Sequence, residues 1–187
     1  PKCKDALILG CVGRLVPYKN IDFVIRCIPE IVSISNVPIH LLVVGSGNDE
    51  YKHYLENIVK ELNLQNHISF TGFLDNPSEI ISGLDILIAP SNRDAFGRTI
   101  VEAMLQSTTV LAADKGGHLE IVDDNVDGLL YSTNCNKSFI EKAHVLIGDK
   151  LLREALASKA LEKSSVKYSK QSLFLAVEKI YKSVIAS

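Results

Sequence analysis

The sequence has 187 residues, and its 20 Lys and Arg residues against 22 Asp and Glu residues give a formal net charge of −2. A chain of this length fits one domain and can bury enough apolar surface to fold without disulfides or metal ions. The balanced charge provides no field that would attract nucleic acid or an anionic membrane, so neither partner is expected of this chain. A phosphate ligand would have to be bound by local groups.

The cysteines and the apolar runs indicate the compartment. Cys3, Cys11, Cys27 and Cys135 are scattered without CxxC spacing, which argues against a disulfide framework or a zinc site and favours a reducing cytoplasm. No apolar run approaches the ~20 residues that span a bilayer, and no signal peptide is recognisable. Because the chain starts at Pro1 rather than Met, we expect it to be part of a longer protein.

Short apolar runs alternate with longer amphipathic segments along the whole chain. The runs are rich in Ile, Val and Leu and do not alternate in polarity, as in strands buried on both faces of a sheet. Six of them are predicted to be strands: Ala6–Val12, Ile39–Val44, Ile68–Thr71, Ile86–Ala89, Val110–Ala113 and Gly128–Tyr131.

Helical periodicity lies between and after these runs. Apolar residues form one stripe in Asp49–Leu62, which Asn48 and Asp49 are placed to cap, and another in the final segment Gln171–Ser187. This alternation predicts an α/β fold, a doubly wound, Rossmann-like parallel sheet with helices on both faces. We expect residues 1–187 to form a single domain, with ligands bound at the carboxyl ends of its strands.

Two cations follow the first predicted strand. Arg14 comes directly after Gly13 and Lys19 follows in the same loop, and an Arg fork beside a Lys point charge suits phosphate oxygens. The alternative is a pair of solvated loop cations. After the second strand, Gly45 and Gly47 form a tight turn that lacks the third glycine of a dinucleotide-binding fingerprint, so by itself it indicates only a turn.

The most informative segment runs from the fourth predicted strand through a loop into a helix. Asp94 in the loop and Glu102 in the helix are placed to face one cleft, where carboxylates would accept hydrogen bonds from ribose and sugar hydroxyls. The backbone amides of Thr99 and Ile100 are expected to be free at the helix start and to bind an anion. The alternative is a capped helix with Asp94 nearby and Glu102 in an ordinary surface ion pair.

Several short motifs occur in order between residues 6 and 131: Gly-Arg-Leu with Lys-Asn, Val-Gly-Ser-Gly, Pro-Ser…Asp-Ala-Phe-Gly…Glu-Ala-Met, and Gly-Gly-His-Leu-Glu. Together they resemble family-4 glycosyltransferases of the GT-B fold. The resemblance implies the C-terminal, donor-binding half of a retaining glycosyltransferase. Such an enzyme transfers a sugar from a nucleotide diphosphate sugar to a glycan or lipid-linked acceptor, without a metal or other cofactor.

The same resemblance implies that an N-terminal acceptor domain is missing from this chain and that the chain alone is inactive. The whole enzyme would act in the cytoplasm, at the inner face of the membrane where its acceptor is lipid-linked. Bacterial surface polysaccharide synthesis is a common role of the family.

Individual residues acquire roles only through this resemblance. Arg14 and Lys19 match the pair that grips the diphosphate and stabilises charge on the leaving group. Asp94 occupies the place of the first acid of a Glu-x7-Glu motif, which contacts the transferred sugar, and Glu102 matches the second acid, which holds the ribose. The other substrate-binding matches are Gly13, Gly45, Gly47, Phe96, Gly97, Thr99, Ile100 and the Gly116–Gly117 turn.

The sequence also departs from the family pattern. Asp94 is one methylene shorter than the usual Glu, which affects the expected sugar contacts. The other departures are Ser107 and Thr109 in place of Gly and Pro, and Asp124–Asn125 and Asp127–Gly128 in place of more usual turns. They bear on donor specificity rather than on the class of enzyme.

No metal site is expected, because the sequence has no Asp-x-Asp motif and no histidines at ligand spacing. His118 is interpreted as a solvent-facing loop histidine. Two other functions stay open, namely a non-catalytic nucleotide-sugar-binding module and an interaction domain that has lost its ligand. The intact set of Arg14, Lys19 and Glu102 argues against the first. An epimerase or phosphorylase of similar architecture is a further alternative.

Overall fold

The computed structural model describes residues 6–169, 172 and 178. The final helix expected over Gln171–Ser187 lies outside the described residues, apart from Ser172 and Glu178. Of the helices described, none combines the length and the apolar composition that a bilayer span requires.

Strands and helices alternate along the chain, and within residues 6–169 two helices follow the last strand. The strands are β1 Leu7–Val12, β2 Ile39–Val44, β3 Ile68–Gly72, β4 Ile86–Ala89, β5 Thr109–Ala113 and β6 Leu129–Tyr131. The helices are α1 Ile21–Ile34, α2 Asp49–Glu61, α3 Pro77–Ser82, α4 Arg98–Leu105, α5 His118–Ile121, α6 Asn136–Gly148 and α7 Lys150–Lys167, with a 3-10 helix at Pro17–Lys19. Each predicted strand is present, and its ends differ by at most one residue.

The six strands form one parallel sheet in the order β3-β2-β1-β4-β5-β6. The predicted doubly wound sheet is therefore confirmed. The chain builds outward from β1 to β3, and then returns to the other side of β1 with β4. In such sheets the crevice for a ligand opens where the strand order reverses, at the carboxyl ends of β1 and β4.

Both faces of the sheet are buried, which explains why its strands are rich in Ile, Val and Leu at successive positions. In β5, Leu111 and Ala113 pack into the core cluster that includes α1, α2 and α6. Val110 and Ala112 point to the opposite cluster, which includes residues of α3 and α4. Asn48 caps α2 as predicted, since its Oδ1 accepts a hydrogen bond from the backbone amide of Tyr51 at 2.7 Å.

The unusual residues around β5 and β6 have local structural explanations. Ser107 has a φ of 55°, a left-handed conformation that favours glycine, which is the residue usual at this position in the resembled family. Asp127 is buried, and its carboxylate accepts hydrogen bonds from the Asp123 amide at 2.8 Å and from Lys163 Nζ at 2.6 Å. These contacts fasten α7 to the turn before β6.

Candidate functional site

A small cleft opens at the carboxyl ends of β1 and β4, at the predicted position. Its lining includes Gly13, Arg14 and Lys19 from the loop after β1, and Ser91, Asp94 and Thr99 from the segment after β4. The predicted residues Gly13, Arg14, Lys19, Asp94 and Thr99 are thus brought together.

The two loops that form the cleft are joined by an ion pair. Lys19 Nζ lies 2.7 Å from Asp94 Oδ1 and 2.8 Å from Oδ2, so it contacts both carboxylate oxygens. The side chains of Lys19 and Asp94 are only 20% and 15% exposed. The carbonyl of Tyr18 adds two further links, because it accepts hydrogen bonds from Ser91 Oγ at 3.2 Å and from the Asn92 amide at 3.3 Å. The sequence did not predict the Lys19–Asp94 pair.

Arg14 is the exposed cation of the cleft. Its guanidinium donates a hydrogen bond to the Tyr18 hydroxyl at 2.9 Å, and within residues 6–169 no carboxylate forms a salt bridge with it. Its positive charge is therefore available to an anion, whereas the charge of Lys19 is balanced by Asp94.

His118 is not the solvent-facing loop residue that the sequence indicated. It is the first residue of α5, and its side chain is fully buried (0% exposed). Its Nδ1 lies 3.0 Å from the carbonyl oxygen of Ala113, and its Nε2 lies 3.5 Å from Asp94 Oδ2. The interpretation was wrong because the short helix packs beneath the loop that carries Asp94.

The charge state of Asp94 follows from these neighbours. Burial alone would raise the pKa of its carboxyl, but its interactions with His118 and Lys19 outweigh burial and lower the pKa from 3.8 to about 2. The Lys19 contacts, below 3 Å, are the firmer of the two. At 3.5 Å, His118 Nε2 makes no hydrogen bond with good geometry.

The Gly116–Gly117 turn supports the Asp94 loop from behind. The Gly117 amide donates a hydrogen bond to the Asp94 carbonyl at 2.9 Å. A Cβ on Gly117 would lie 2.5 Å from the Ala95 carbonyl oxygen, and one on Gly116 would collide with the carbonyl oxygen of Asp94. Two glycines are needed here because the backbones touch, and no side chain fits between them.

Gly45 and Gly47 meet a similar constraint beside Arg14. A Cβ on Gly47 would lie 2.5 Å from the Leu15 carbonyl oxygen, and one on Gly45 would collide with the carbonyl oxygen of Gly13. These glycines let the loop after β2 press against the loop after β1. Neither residue lines the cleft after β1 and β4, so a contact with the nucleotide stays a prediction.

The start of α4 differs in one respect from the expectation. Gly97 precedes the helix with a φ of 82° and no side-chain cap. The Ile100 amide donates to the Gly97 carbonyl at 2.9 Å, so it is not free for an anion as predicted. The side chain of Ile100 is buried. The ring of Phe96 is half-exposed and packs edge-on against Tyr168, with ring centroids 5.8 Å apart.

Glu102 forms the surface ion pair that was the alternative interpretation. Its Oε1 lies 3.6 Å from Nε of Arg98, one turn earlier on α4, and the Arg98 side chain is 87% exposed. An exposed pair of this kind is weak, typically worth about 0.3–0.5 kcal/mol. A ribose hydroxyl can therefore compete for the carboxylate, and the role of Glu102 stays a prediction.

The cleft holds one thiol that takes no part in acid–base chemistry near neutral pH. Burial raises the pKa of Cys11 to about 12, so the side chain is a neutral thiol. Cys11, Cys27 and Cys135 are all free. Among the described side chains, no group of three or more His, Cys, Asp or Glu residues is arranged to hold a metal ion.

The lowered pKa of Asp94 predicts a specific loss of stability in acid. A depressed carboxyl pKa contributes free energy of unfolding that is present above the unfolded value of 3.8 and disappears as pH falls through the folded value of about 2. We expect Asp94→Asn to lower the unfolding free energy by about 2 kcal/mol at neutral pH, and by little at about pH 2. Urea unfolding followed at both pH values measures the difference.

Asp75→Asn is the matched control, because Asp75 is exposed. It should change stability by less than about 0.5 kcal/mol at either pH. An equal loss for Asp94→Asn at neutral and acid pH would show that the ion pair does not stabilise the folded chain.

Comparisons with known proteins agree with this geometry. The model of the family "Glycosyl transferases group 1" matches residues 1–163. A capsular polysaccharide biosynthesis glycosyltransferase of Staphylococcus aureus, CapM, is 25% identical over 177 residues, which cover 95% of this chain and 46% of CapM. The curated relatives that match first are longer proteins, of which this chain spans 33% to 46%.

Two solved structures resemble the whole fold. HepE from Anabaena, in complex with UDP-glucose, superposes with a TM-score of 0.87 at 25% identity, over 95% of this chain and 49% of HepE. The C-terminal domain of LpcC, a glycosyl transferase group 1 family protein from Francisella tularensis, superposes with a TM-score of 0.78 at 26% identity, over 88% of this chain and 87% of that domain. Because the family model covers most of the sequence, this chain belongs to the glycosyl transferases group 1 family.

Proposed function

We propose that this chain is the donor-binding domain of a retaining glycosyltransferase that uses a nucleotide diphosphate sugar. The observation that carries the proposal is the cleft where the strand order reverses, in which Arg14, a cation without a salt bridge inside residues 6–169, lies beside the Lys19–Asp94 pair. The UDP-glucose bound to HepE supports a donor of this class. The chain spans less than half of each of these relatives, which supports a second domain outside this chain that binds the acceptor.

In the proposed reaction the bond between the anomeric carbon and the diphosphate oxygen breaks. The acceptor hydroxyl oxygen bonds to that carbon on the same face of the sugar, and the hydroxyl proton passes to the departing diphosphate. Arg14 and Lys19 stabilise the negative charge that develops on the diphosphate. Asp94 accepts hydrogen bonds from sugar hydroxyls, and Glu102 does the same for the ribose. With two cations in these roles, we expect transfer to need no divalent metal.

The acceptor in this proposal is a glycan or a lipid-linked glycan. The name of the Staphylococcus aureus relative supports a role in the synthesis of a bacterial polysaccharide. The enzyme would then act in the cytoplasm, at the inner face of the membrane when its acceptor is lipid-linked.

We predict that Arg14→Ala weakens binding of the nucleoside diphosphate far more than binding of the nucleoside. Loss of a charge-assisted hydrogen bond costs about 1.5–3 kcal/mol, or about tenfold or more in affinity, and only the phosphates contact the guanidinium. Calorimetry with UDP, GDP and ADP identifies the base, and the corresponding nucleoside provides the comparison. Arg26→Ala, an exposed arginine on α1, is the control. An equal loss for diphosphate and nucleoside would contradict the phosphate role.

We predict that Glu102→Ala weakens the same nucleoside diphosphate by about tenfold, because the ribose loses a charged acceptor. Arg98→Ala is the matched control, since it breaks the same surface ion pair and keeps the carboxylate. It should leave the affinity within about twofold. If the two variants bind alike, Glu102 serves only the ion pair, and the ribose assignment is wrong.

We predict that the isolated chain binds the donor but transfers sugar negligibly, while the full-length protein transfers it in the presence of a chelator. Transfer requires both reactants to be held in near-attack geometry, and the acceptor groups are proposed to lie in the other domain. A radiolabelled-donor assay on both proteins measures the difference. Robust transfer by residues 1–187 would contradict the half-enzyme proposal. If a chelator inhibits the full-length protein and Mg²⁺ restores its activity, the metal-free mechanism is wrong. If the full-length protein binds the donor but transfers no sugar, the result favours a non-catalytic module.

A further inference from the structure

His118 is a fully buried polar residue for which the proposed function has no role. Its Nδ1 faces the Ala113 carbonyl oxygen at 3.0 Å. A carbonyl only accepts hydrogen bonds, so Nδ1 carries a proton. Its Nε2 is buried, has no hydrogen-bond partner in the part of the chain that the structure describes, and lies 3.5 Å from Asp94 Oδ2. The imidazole is thus held in one tautomer, with its second nitrogen directed at the carboxylate of the cleft.

The ring has little freedom to turn away from Asp94. Gly97 packs against it, and even a Cβ at Gly97 would come within 3.1 Å of His118 Cδ2. The bond to Ala113 fixes the opposite edge of the ring. The orientation of Nε2 is therefore a property of the fold, and small movements of Asp94 decide whether the two groups form a hydrogen bond.

A neutral His118 and an ionised Asp94 are compatible only while Lys19 is present. With Nδ1 protonated, neutral imidazole presents a lone pair at Nε2, and a lone pair facing a carboxylate oxygen is unfavourable. Lys19 compensates, since its ammonium group contacts both oxygens of Asp94. If Lys19 turns to a diphosphate in the cleft, Asp94 keeps its charge in a half-buried place, beside new negative charge and without its partner. Such a state is costly unless another cation replaces Lys19.

Two lysines near α5 are already engaged with other groups. The charged groups on or packed against the helix are Lys115, Glu120, Lys163 and Lys167, in addition to Asp94 and Lys19. Lys163 and Lys167 donate to the carbonyls of Ile121 and Glu120. Among the described residues only Asp94 makes an ion-pair contact with His118.

We propose that His118 is a positioning residue for Asp94 and that it takes up one proton when a nucleoside diphosphate engages Lys19. The proton comes from the solvent and binds to Nε2, which then donates to Asp94 Oδ2 in place of the ammonium group. When the diphosphate leaves, Lys19 returns to Asp94 and the proton is released. Donor binding is thereby linked to pH, and Asp94 stays ionised and oriented toward the sugar throughout. This inference rests on the proposed donor site.

The ligand for the test is whichever of UDP, GDP and ADP this chain binds. Calorimetry in two buffers of different ionisation enthalpy measures the protons that the chain takes up when this ligand binds. His118→Gln keeps a polar group directed at Asp94 but cannot be protonated, and His118→Asn keeps only a donor toward Ala113. We expect the wild-type chain to take up about one proton more than either variant when the measurement is made near pH 7.5. That pH lies above the ordinary histidine pKa of about 6.5, so the free imidazole starts without the second proton. His118→Asn should bind about tenfold more weakly, and His118→Gln less weakly than that. His53→Gln, an exposed histidine on α2, should change nothing.

The comparison with the variants removes the protons that the phosphate itself releases or binds. Nitrogen-15 spectra of histidine-labelled wild-type chain give a second readout that needs no substitution. Addition of the diphosphate should convert one imidazole from the Nδ1–H tautomer to the imidazolium form. Equal proton uptake by wild type and His118→Gln, or no imidazolium signal on binding, would overturn the inference and leave the donor site intact. Failure of the wild-type chain to bind any of the three diphosphates would overturn the donor site and this inference together.

Discussion

The Lys19–Asp94 ion pair is the contact on which the candidate site depends. It joins residues 75 positions apart in the sequence, from the two strands between which the order of the sheet reverses. The pair thus connects the β3-β2-β1 half of the sheet with the β4-β5-β6 half at the point where a ligand would enter. It also sets the charge of the cleft, since Asp94 balances the charge of Lys19, whereas no carboxylate within residues 6–169 balances that of Arg14. An anion that enters the cleft meets a net positive charge. Before it enters, Lys19 is not an isolated half-buried cation, because Asp94 is its partner.

The strands were predictable because their signal is local. A parallel strand covered on both faces is apolar at successive positions, and the run Ile86–Ala89 shows this without knowledge of any neighbour. The one-residue errors have a different origin. Thr109 belongs to β5 because it pairs with Ile86 of β4, and Gly72 belongs to β3 because it pairs with Val44 of β2. Pairing is a property of two segments, so the sequence of one segment does not contain it.

The site was predictable only in part, for the same reason. The residues that meet in the cleft follow β1 and β4, and the carboxyl ends of neighbouring parallel strands necessarily share an edge. The burial of His118 depends instead on α5 packing under another loop and on the missing side chain of Gly97. From the sequence, a histidine after two glycines in a polar stretch is typical of an exposed turn. The occupied amide of Ile100 depends on the backbone angles of Gly97, which the residue type permits but does not determine.

The contact between the Gly116–Gly117 turn and the backbone of Asp94 and Ala95 has a consequence for how donor preference can change. No side chain separates the two loops, so no side chain can absorb a displacement of one relative to the other. A substitution behind the turn, for example where α5 meets α4, would move Asp94 together with the backbone on which it rests. Under the proposed contact between Asp94 and the sugar, selection for a new sugar would therefore also act on positions that never touch the sugar. A mutational library restricted to the residues that line the cleft would omit these positions. Gly116 and Gly117 themselves should tolerate no replacement, because a Cβ at either position would collide with the backbone of the Asp94 loop.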